Sequence, residues 1–238
     1  VRAIDAPLAG LRKLRARGAD DPRLPRVEEA LEALRDSQRQ FETLALASAR
    51  QEAALRDQLE RAREASRALG DLVGVLIANR RTQISSALAG LYDEPDRDRR
   101  DALVDRTIEV ELFGLQAFVE FRDLLRRIDA DFDRAAAAVD VETLAASRAR
   151  LAVAFDVARR RVASIRDPGR RAQGETALAV LRSAEAPDGL FGVKTGLLTL
   201  AHEIRDAADL ALTRAAALTE ATRASTTRPL AMRPTPRC

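Results

Sequence analysis

Tryptophan is absent from this sequence, and tyrosine, histidine, cysteine and methionine occur once each. With aromatics at 3% of residues, a core has to be filled by Leu, Ala, Val and Ile, which interdigitate between helices more readily than between sheets. The lone cysteine, Cys238, excludes an intrachain disulfide and is compatible with any compartment. The lone histidine, His202, excludes a multi-histidine metal centre, and no Glu-x-x-His pair on an inward face announces a di-iron bundle. With Cys238 in the terminal segment, His202 has no nucleophile to activate, so catalysis by this chain is not expected and no cofactor is implied. His202 reads as a surface or packed histidine. The 11 glycines and 9 prolines gather at a few points, whereas an all-β chain needs turn residues every eight to twelve positions or so.

Long apolar runs are also missing. The most apolar segment, Val110 to Leu125, still holds Glu111, Glu120, Arg122 and Asp123, which no lipid-embedded helix of that length tolerates. The chain begins at Val1 with neither methionine nor signal peptide, as expected of a piece of a longer protein. A pI of 9.7 raises the question of nucleic acid, yet 40 Lys and Arg stand against 37 Asp and Glu and the two signs alternate. Neither a phosphate-tracking stripe nor a set of stacking aromatics is visible, so nucleic-acid binding is excluded as a reading.

What is present is helix. Aspartate accepts hydrogen bonds from the orphan amides of a first turn, and proline at the first position loses no needed donor. On that logic Asp93-Glu94-Pro95, Asp140, Asp167-Pro168 and Asp188-Gly189 each open a helix, giving helices over 4–17, 26–91, 96–137, 140–166, 168–184 and 189–224. The second is uninterrupted by proline and carries a near-heptad seam through Val27, Leu31, Leu34, Phe41, Ala45, Leu55, Leu59, Ala62, Leu69, Val73 and Leu76. At about 1.5 Å per residue it extends roughly 95 Å, so shorter helices must pack along it in succession. Acid-first pairs four residues apart, Glu52 with Arg56, Asp57 with Arg61, Asp123 with Arg127 and Asp156 with Arg160, support the outer faces. Gly70 and Gly74 mark a bend between bundle segments. The third helix, apolar nearly all round from Ile108 to Leu125, is expected to be the most buried. Residues 225–238 carry three prolines and no periodicity and read as a disordered tail outside the fold.

Few residues suggest chemistry. Gly189 to Thr195 faintly resembles a phosphate loop, but Val193 stands where glycine must precede the lysine and a helix end replaces the leading strand. Gly192 and Gly196 share a helical face and predict close approach of a neighbouring backbone. Gln38, Ser48, Glu52, Arg80 and Gln83 interrupt the long seam, where polar residues set register or mark a frayed end. Arg80 and Gln83 fall where the long helix meets others, and Arg122 lies near Phe118 and Phe121. An arginine turned into a bundle must find a carboxylate, from the protein or from a ligand. Arg80, Gln83 and Arg122 are therefore the candidate ligand-binding residues.

The run Leu144-Ala-Ala-Ser-Arg-Ala-Arg-Leu151, then Arg166-Asp-Pro-Gly-Arg-Arg171, then Ala186-Pro-Asp-Gly-Leu-Phe191 opening a final helix, resembles the periplasmic sensor region of bacterial transmembrane histidine kinases of the TorS type. Those regions are similar in turn to the helical bimodular sensors of some chemoreceptors. The order of elements agrees from about Val27 to Ala224. The family's final helix continues with an Arg and Glu rich turn, whereas Gly192 to Gly196 follow here, and no family site residue carries over. The resemblance implies an all-α sensor domain over 1–224, built as elongated stacked four-helix bundles sharing long helices. It also implies a homodimer, a membrane helix on either side, a periplasmic location and a kinase elsewhere in the full protein. The ligand would be a small molecule, met directly or through a periplasmic binding protein. The alternative is a scaffold whose seam serves self-association alone.

Overall fold

The computed structural model describes residues 2–16 and 24–226. In chain order these form α1 (Arg2–Ala16), α2 (Leu24–Asp93), α3 (Arg97–Arg106), a π-helical segment (Thr107–Leu112), α4 (Phe113–Ala137), α5 (Val141–Ala163), α6 (Pro168–Arg182), a 3-10 turn (Ser183–Glu185) and α7 (Leu190–Thr226). The described chain is an all-α helical bundle.

Aspartates open three of these helices. The Asp140 carboxylate accepts from the Thr143 amide at 2.7 Å, and Asp167 from the Arg170 amide at 2.7 Å with Pro168 at the first helical position. At the third, the cap is Asp96, which accepts from the Arg99 amide at 3.1 Å; Asp93, named from the sequence, is instead the last residue of α2. Thr143 holds Asp140 ionised, lowering its carboxyl below the usual carboxylate range. The chain turns into α7 over Gly189, where a Cβ would lie 2.2 Å from the Ser183 carbonyl oxygen, so only glycine fits. Gly192 is equally constrained, its Cβ position 1.8 Å from the Pro187 carbonyl oxygen. The expected close approach of backbone thus holds at Gly192, made by the turn that precedes it. At Gly196 the nearest atom is the Gln51 side chain at 3.7 Å, an ordinary contact.

Two compact units result. One gathers α1, α2 as far as Arg50 and α7 from Thr199 onward; the other is Gln51–Leu198. The division of α2 falls at Arg50, not at the glycines: Gly70 and Gly74 have nothing within 4 Å of a Cβ position. In the second unit α4 packs on α5 and α5 on α6. Its core is one cluster, with Leu69, Val73 and Leu76 of α2 meeting Phe121, Ile128 and Phe132 of α4, Leu151 and Phe155 of α5, and Leu181 and Leu190. Phe132 and Phe155 meet with ring centroids 6.1 Å apart in a tilted arrangement. Burying each such side chain stabilises by about 1.5–3 kcal/mol. Lys194, from the first turns of α7, donates to the Ala136 carbonyl at 2.7 Å, satisfying an orphan acceptor at the end of α4. Its burial pushes the ammonium pKa down.

The seam of α2 behaves differently in the two units. Ala62, Leu69, Val73 and Leu76 are buried, whereas Val27, Leu31 and Leu34 are half-buried and Phe41 and Ala45 exposed. Among the described residues of the first unit only Leu8, Ser37 and Ala207 are buried. Of the acid-first pairs, Glu52 reaches Arg56 at 3.7 Å, while Asp123 and Asp156 pair with Arg126 and Arg159 three residues on. His202 lies on the surface within 3.6 Å of Asp206. The tail expected over 225–238 lies outside the described residues from 227 onward, and α7 extends through Thr226.

The third helix departs most from expectation. It is not the most buried element: Ile108, Leu112 and Phe113 are 44%, 44% and 60% exposed. Its apolar residues encircle the axis, and at about 100° per residue Leu112 falls on the face opposite Phe121, Leu125 and Ile128, which carry the core. A π-helical segment, whose turn accommodates one residue more than an α turn, lies just before that buried face.

Candidate functional site

The π-helical segment also forms one wall of a cleft of about 330 Å³ within the second unit. Arg80 of α2, Glu109 of the segment, Gly114 and Phe118 of α4, Arg161 in the last turn of α5 and Arg166 in the connection beyond it line it. Arg80 passes close to Gly114 in the first turn of α4: a Cβ there would lie 3.3 Å from Arg80 Nε and 3.4 Å from Cζ, a tight contact that the arginine end would ease by shifting a few tenths of an ångström.

The charges around the cleft are partly paired. Arg80 Nη1 donates to Glu111 Oε2 and, at 3.3 Å, to Gln83 Oε1. The Arg80 and Glu111 side chains are 18% and 14% exposed, which makes this the most sheltered interelement ion pair of the cleft. Arg161 donates to Glu120 at 2.8 Å, and the Ser164 hydroxyl donates to the Arg161 carbonyl at 2.7 Å, closing the end of α5. Among the described residues Arg166 and Glu109 have no ion-pair partner. Arg166, with the Nε and Nη2 donors that Arg80 keeps free of hydrogen bonds, presents cationic donors to a small anion. Glu109 offers an acceptor to any cationic or donor group on the same molecule.

The structure therefore brings together Arg80 and Gln83, two of the three residues singled out from the sequence. Arg122 stands apart, one turn beyond Phe118 on α4 and outside the cleft lining, with its Nε buried and unpartnered. Sequence reasoning missed Glu111, Arg161, Arg166 and Gly114. The glycine inside a helix was a usable signal of close approach. The arginines were not distinguishable from the many that coat the helices.

Elsewhere in this unit Asp131 of α4, 6% exposed, accepts from Arg134 and Arg150 at 2.8 Å each, and Arg150 also donates to the fully buried Ser147 at 3.0 Å. Asp129 faces α2, where burial pushes its carboxyl pKa up and the Ser66 hydroxyl only partly offsets that. Asp133 beside it acts in the same upward direction and Arg63 against it, and Arg63 and Asp133 pair at 2.9 Å. Among the described residues no group of three or more His, Cys, Asp or Glu could hold a metal ion, and no helix is long and apolar enough to cross a membrane.

No known family model matches the sequence, and no curated protein matches it. In structure the chain is similar to the TorS sensor domain, crystallised as a complex with TorT in the presence of TMAO. The likeness has a TM-score of 0.79 at 16% identity, over 93% of this chain and 82% of that one. The chain has the fold of the TorS sensor domain.

Proposed function

We propose that this chain is the extracytoplasmic sensor domain of a bacterial two-component receptor, a sensor histidine kinase, and that it acts by binding rather than by catalysis. The likeness of fold over 93% of the chain carries this reading. The protein it resembles was crystallised with a partner, TorT, in the presence of a small molecule. By the same logic the input here is a small molecule, met directly or on a periplasmic binding protein, and the output is a helix displacement. A ligand that prefers one packing of a bundle by a few kcal/mol shifts the population between two arrangements. Helices α2 and α7, each contributing to both units, are the elements suited to carry that shift.

Two surfaces support the two modes of input. The cleft lined by Arg80, Arg161 and Arg166 is where a small anion would be held, with Gln83 bonded to Arg80 beside it and Arg122 as a separate contact. A protein partner is served by exposed apolar residues of α3 and the π-helical segment: Val104, Ile108 and Leu112 recur every fourth residue and are 36%, 44% and 44% exposed. Leu88 and Tyr92 repeat the same spacing at the end of α2, and Tyr92 is 91% exposed. Exposed apolar patches mark interaction sites, and tyrosine is among the residues that most often anchor them. The exposed Leu46, Leu210 and Leu212 of the first unit favour self-association, as a homodimeric receptor requires and as a plain scaffold would also show.

A thermal-shift screen of the domain against small organic acids, amines and amine oxides, with mass measured by light scattering, tests the reading. Direct sensing raises the melting temperature with the logarithm of ligand concentration, because the ligand binds only the folded state. Arg80→Ala abolishes that response while helicity is kept. A folded dimer that answers to no small molecule, and binds no periplasmic binding protein, leaves the scaffold reading in its place.

A further inference from the structure

The cleft beside Arg80 is charged, and its charges balance. Arg80, Arg161 and Arg166 are met by the carboxylates of Glu109, Glu111 and Glu120. Four of these six are taken up in pairs, Arg80 with Glu111, and Arg161 with Glu120 at 2.8 Å. One cation and one anion remain: Arg166, in the connection after α5, and Glu109, in the π-helical segment. Both line the cleft, and they stand beyond ion-pair distance of each other.

A ligand with a single charge can answer only one of these two groups. A plain carboxylate that pairs with Arg166 meets Glu109 in the same confined space. A plain amine that pairs with Glu109 meets Arg166 and the donors that Arg80 keeps free. Like charges left facing a ligand are one way a site rejects the wrong one. A molecule carrying both charges answers both residues and leaves the cleft neutral. The rest of the lining suits the stem between those charges. Val110, Ala117 and Phe118 are apolar, and the Ser164 oxygen, whose proton goes to the Arg161 carbonyl at 2.7 Å, is left to accept from an ammonium. At about 330 Å³ the cleft sits at the small end of ligand pockets, which begin at about 300 Å³. We infer that its ligand is a small zwitterion, an amino acid whose carboxylate pairs with Arg166 and the free donors of Arg80 and whose ammonium pairs with Glu109. The inference rests on the reading of this cleft as the ligand site, and it narrows that reading from anions in general to dipolar molecules.

A series of amino acids of growing length, glycine, β-alanine, γ-aminobutyrate and ε-aminocaproate, measures the span between the two charges. Each is compared with the acid lacking only its amine and the amine lacking only its carboxyl, by thermal shift and calorimetric titration of the unmodified domain. One length raises the melting temperature with the logarithm of its concentration. It binds at least about tenfold more tightly than its matched acid or amine, the usual worth of one charge-assisted hydrogen bond. Glu109 and Arg166 are exposed, so substituting them leaves the core untouched. Glu109→Gln brings the amino acid down to the affinity of its matched acid, and Arg166→Met weakens the amino acid at least about tenfold. Arg127→Ala, outside this cleft, keeps the native affinity. An acid that binds as tightly as its amino acid, or a Glu109→Gln variant that keeps the native preference, overturns the inference while the anion cleft stands. A domain that responds to no member of any series removes the cleft and the inference together.

Discussion

Replacing Glu111 by Gln separates the two roles that Arg80 can have. In the native chain Arg80 is neutralised by Glu111, with both side chains more than four-fifths shielded from water. Removing one partner of a fully buried pair costs about 3–5 kcal/mol, and an exposed pair contributes about 0–1 kcal/mol. The intermediate exposure, with Gln83 still accepting from Arg80, places the loss near 2 kcal/mol. For a chain of this size that is a fall in melting temperature of about 4–8 °C. The freed guanidinium then belongs to whatever anion enters the cleft. An anion at a hundred times its dissociation constant returns about 2.7 kcal/mol, so sulfate stabilises the Glu111→Gln variant more than the native protein. Thermal and urea unfolding, with sulfate against sodium chloride at matched ionic strength, read both effects, the chloride control accounting for general screening. A variant as stable as the native chain and no more responsive to sulfate would refute the view that Arg80 is held back by a protein carboxylate.

Further outcomes follow from the packing. Asp129→Asn stabilises the protein at neutral pH by up to about 1 kcal/mol, discounted because the group is only half withdrawn from water. The fold raises this carboxyl's pKa, so its cost is full above the folded value and gone below the unfolded one; the gap between variant and native stability narrows as pH falls through that window. A gap that widens toward acid would contradict the assignment. Gly192→Ala drives a Cβ into the Pro187 carbonyl and costs about 3 kcal/mol in urea unfolding. Gly74→Ala, on an open helix face, instead stabilises by about 0.5–1 kcal/mol. Lys194→Met leaves the Ala136 carbonyl without its donor; hydrogen exchange at the last turn of α4 quickens more than in the rest of that helix.

The helices were legible because their starts are written in local chemistry. Asp140 and Asp167-Pro168 cap where capping rules place them, and the proline-free stretch of α2 is one helix. The shift from Asp93 to Asp96 is the ambiguity of two aspartates flanking one proline. The π-helical segment was not legible, since none of its residues, Thr107 to Leu112, differs in kind from those of an ordinary helix. The need of Arg80 for a carboxylate could be read from its place in the seam. That Glu111 supplies it, 31 residues away, depends on how α2 meets the helix after it, which no local pattern records. The hydrogen bond from Arg214 of α7 to Ser37 of α2 spans 177 residues and was invisible for the same reason.

The spare residue in Thr107–Leu112 gives this part of the protein a mechanical property that a regular helix lacks. An α-helix bends by degrees, but a π turn can only keep its extra residue or pass it along, so the change it permits comes in whole-residue steps. One step would turn only the residue that the π turn crosses, by about 100° and about 1.5 Å along the axis, and leave α3 and α4 beyond it in place. Ile108 on the outer face and Glu109 in the cleft, both within the segment, are the residues such steps would move. The segment is thus a ratchet of one tooth, and deleting one residue from it would remove the tooth and hold both residues to one α-helical register.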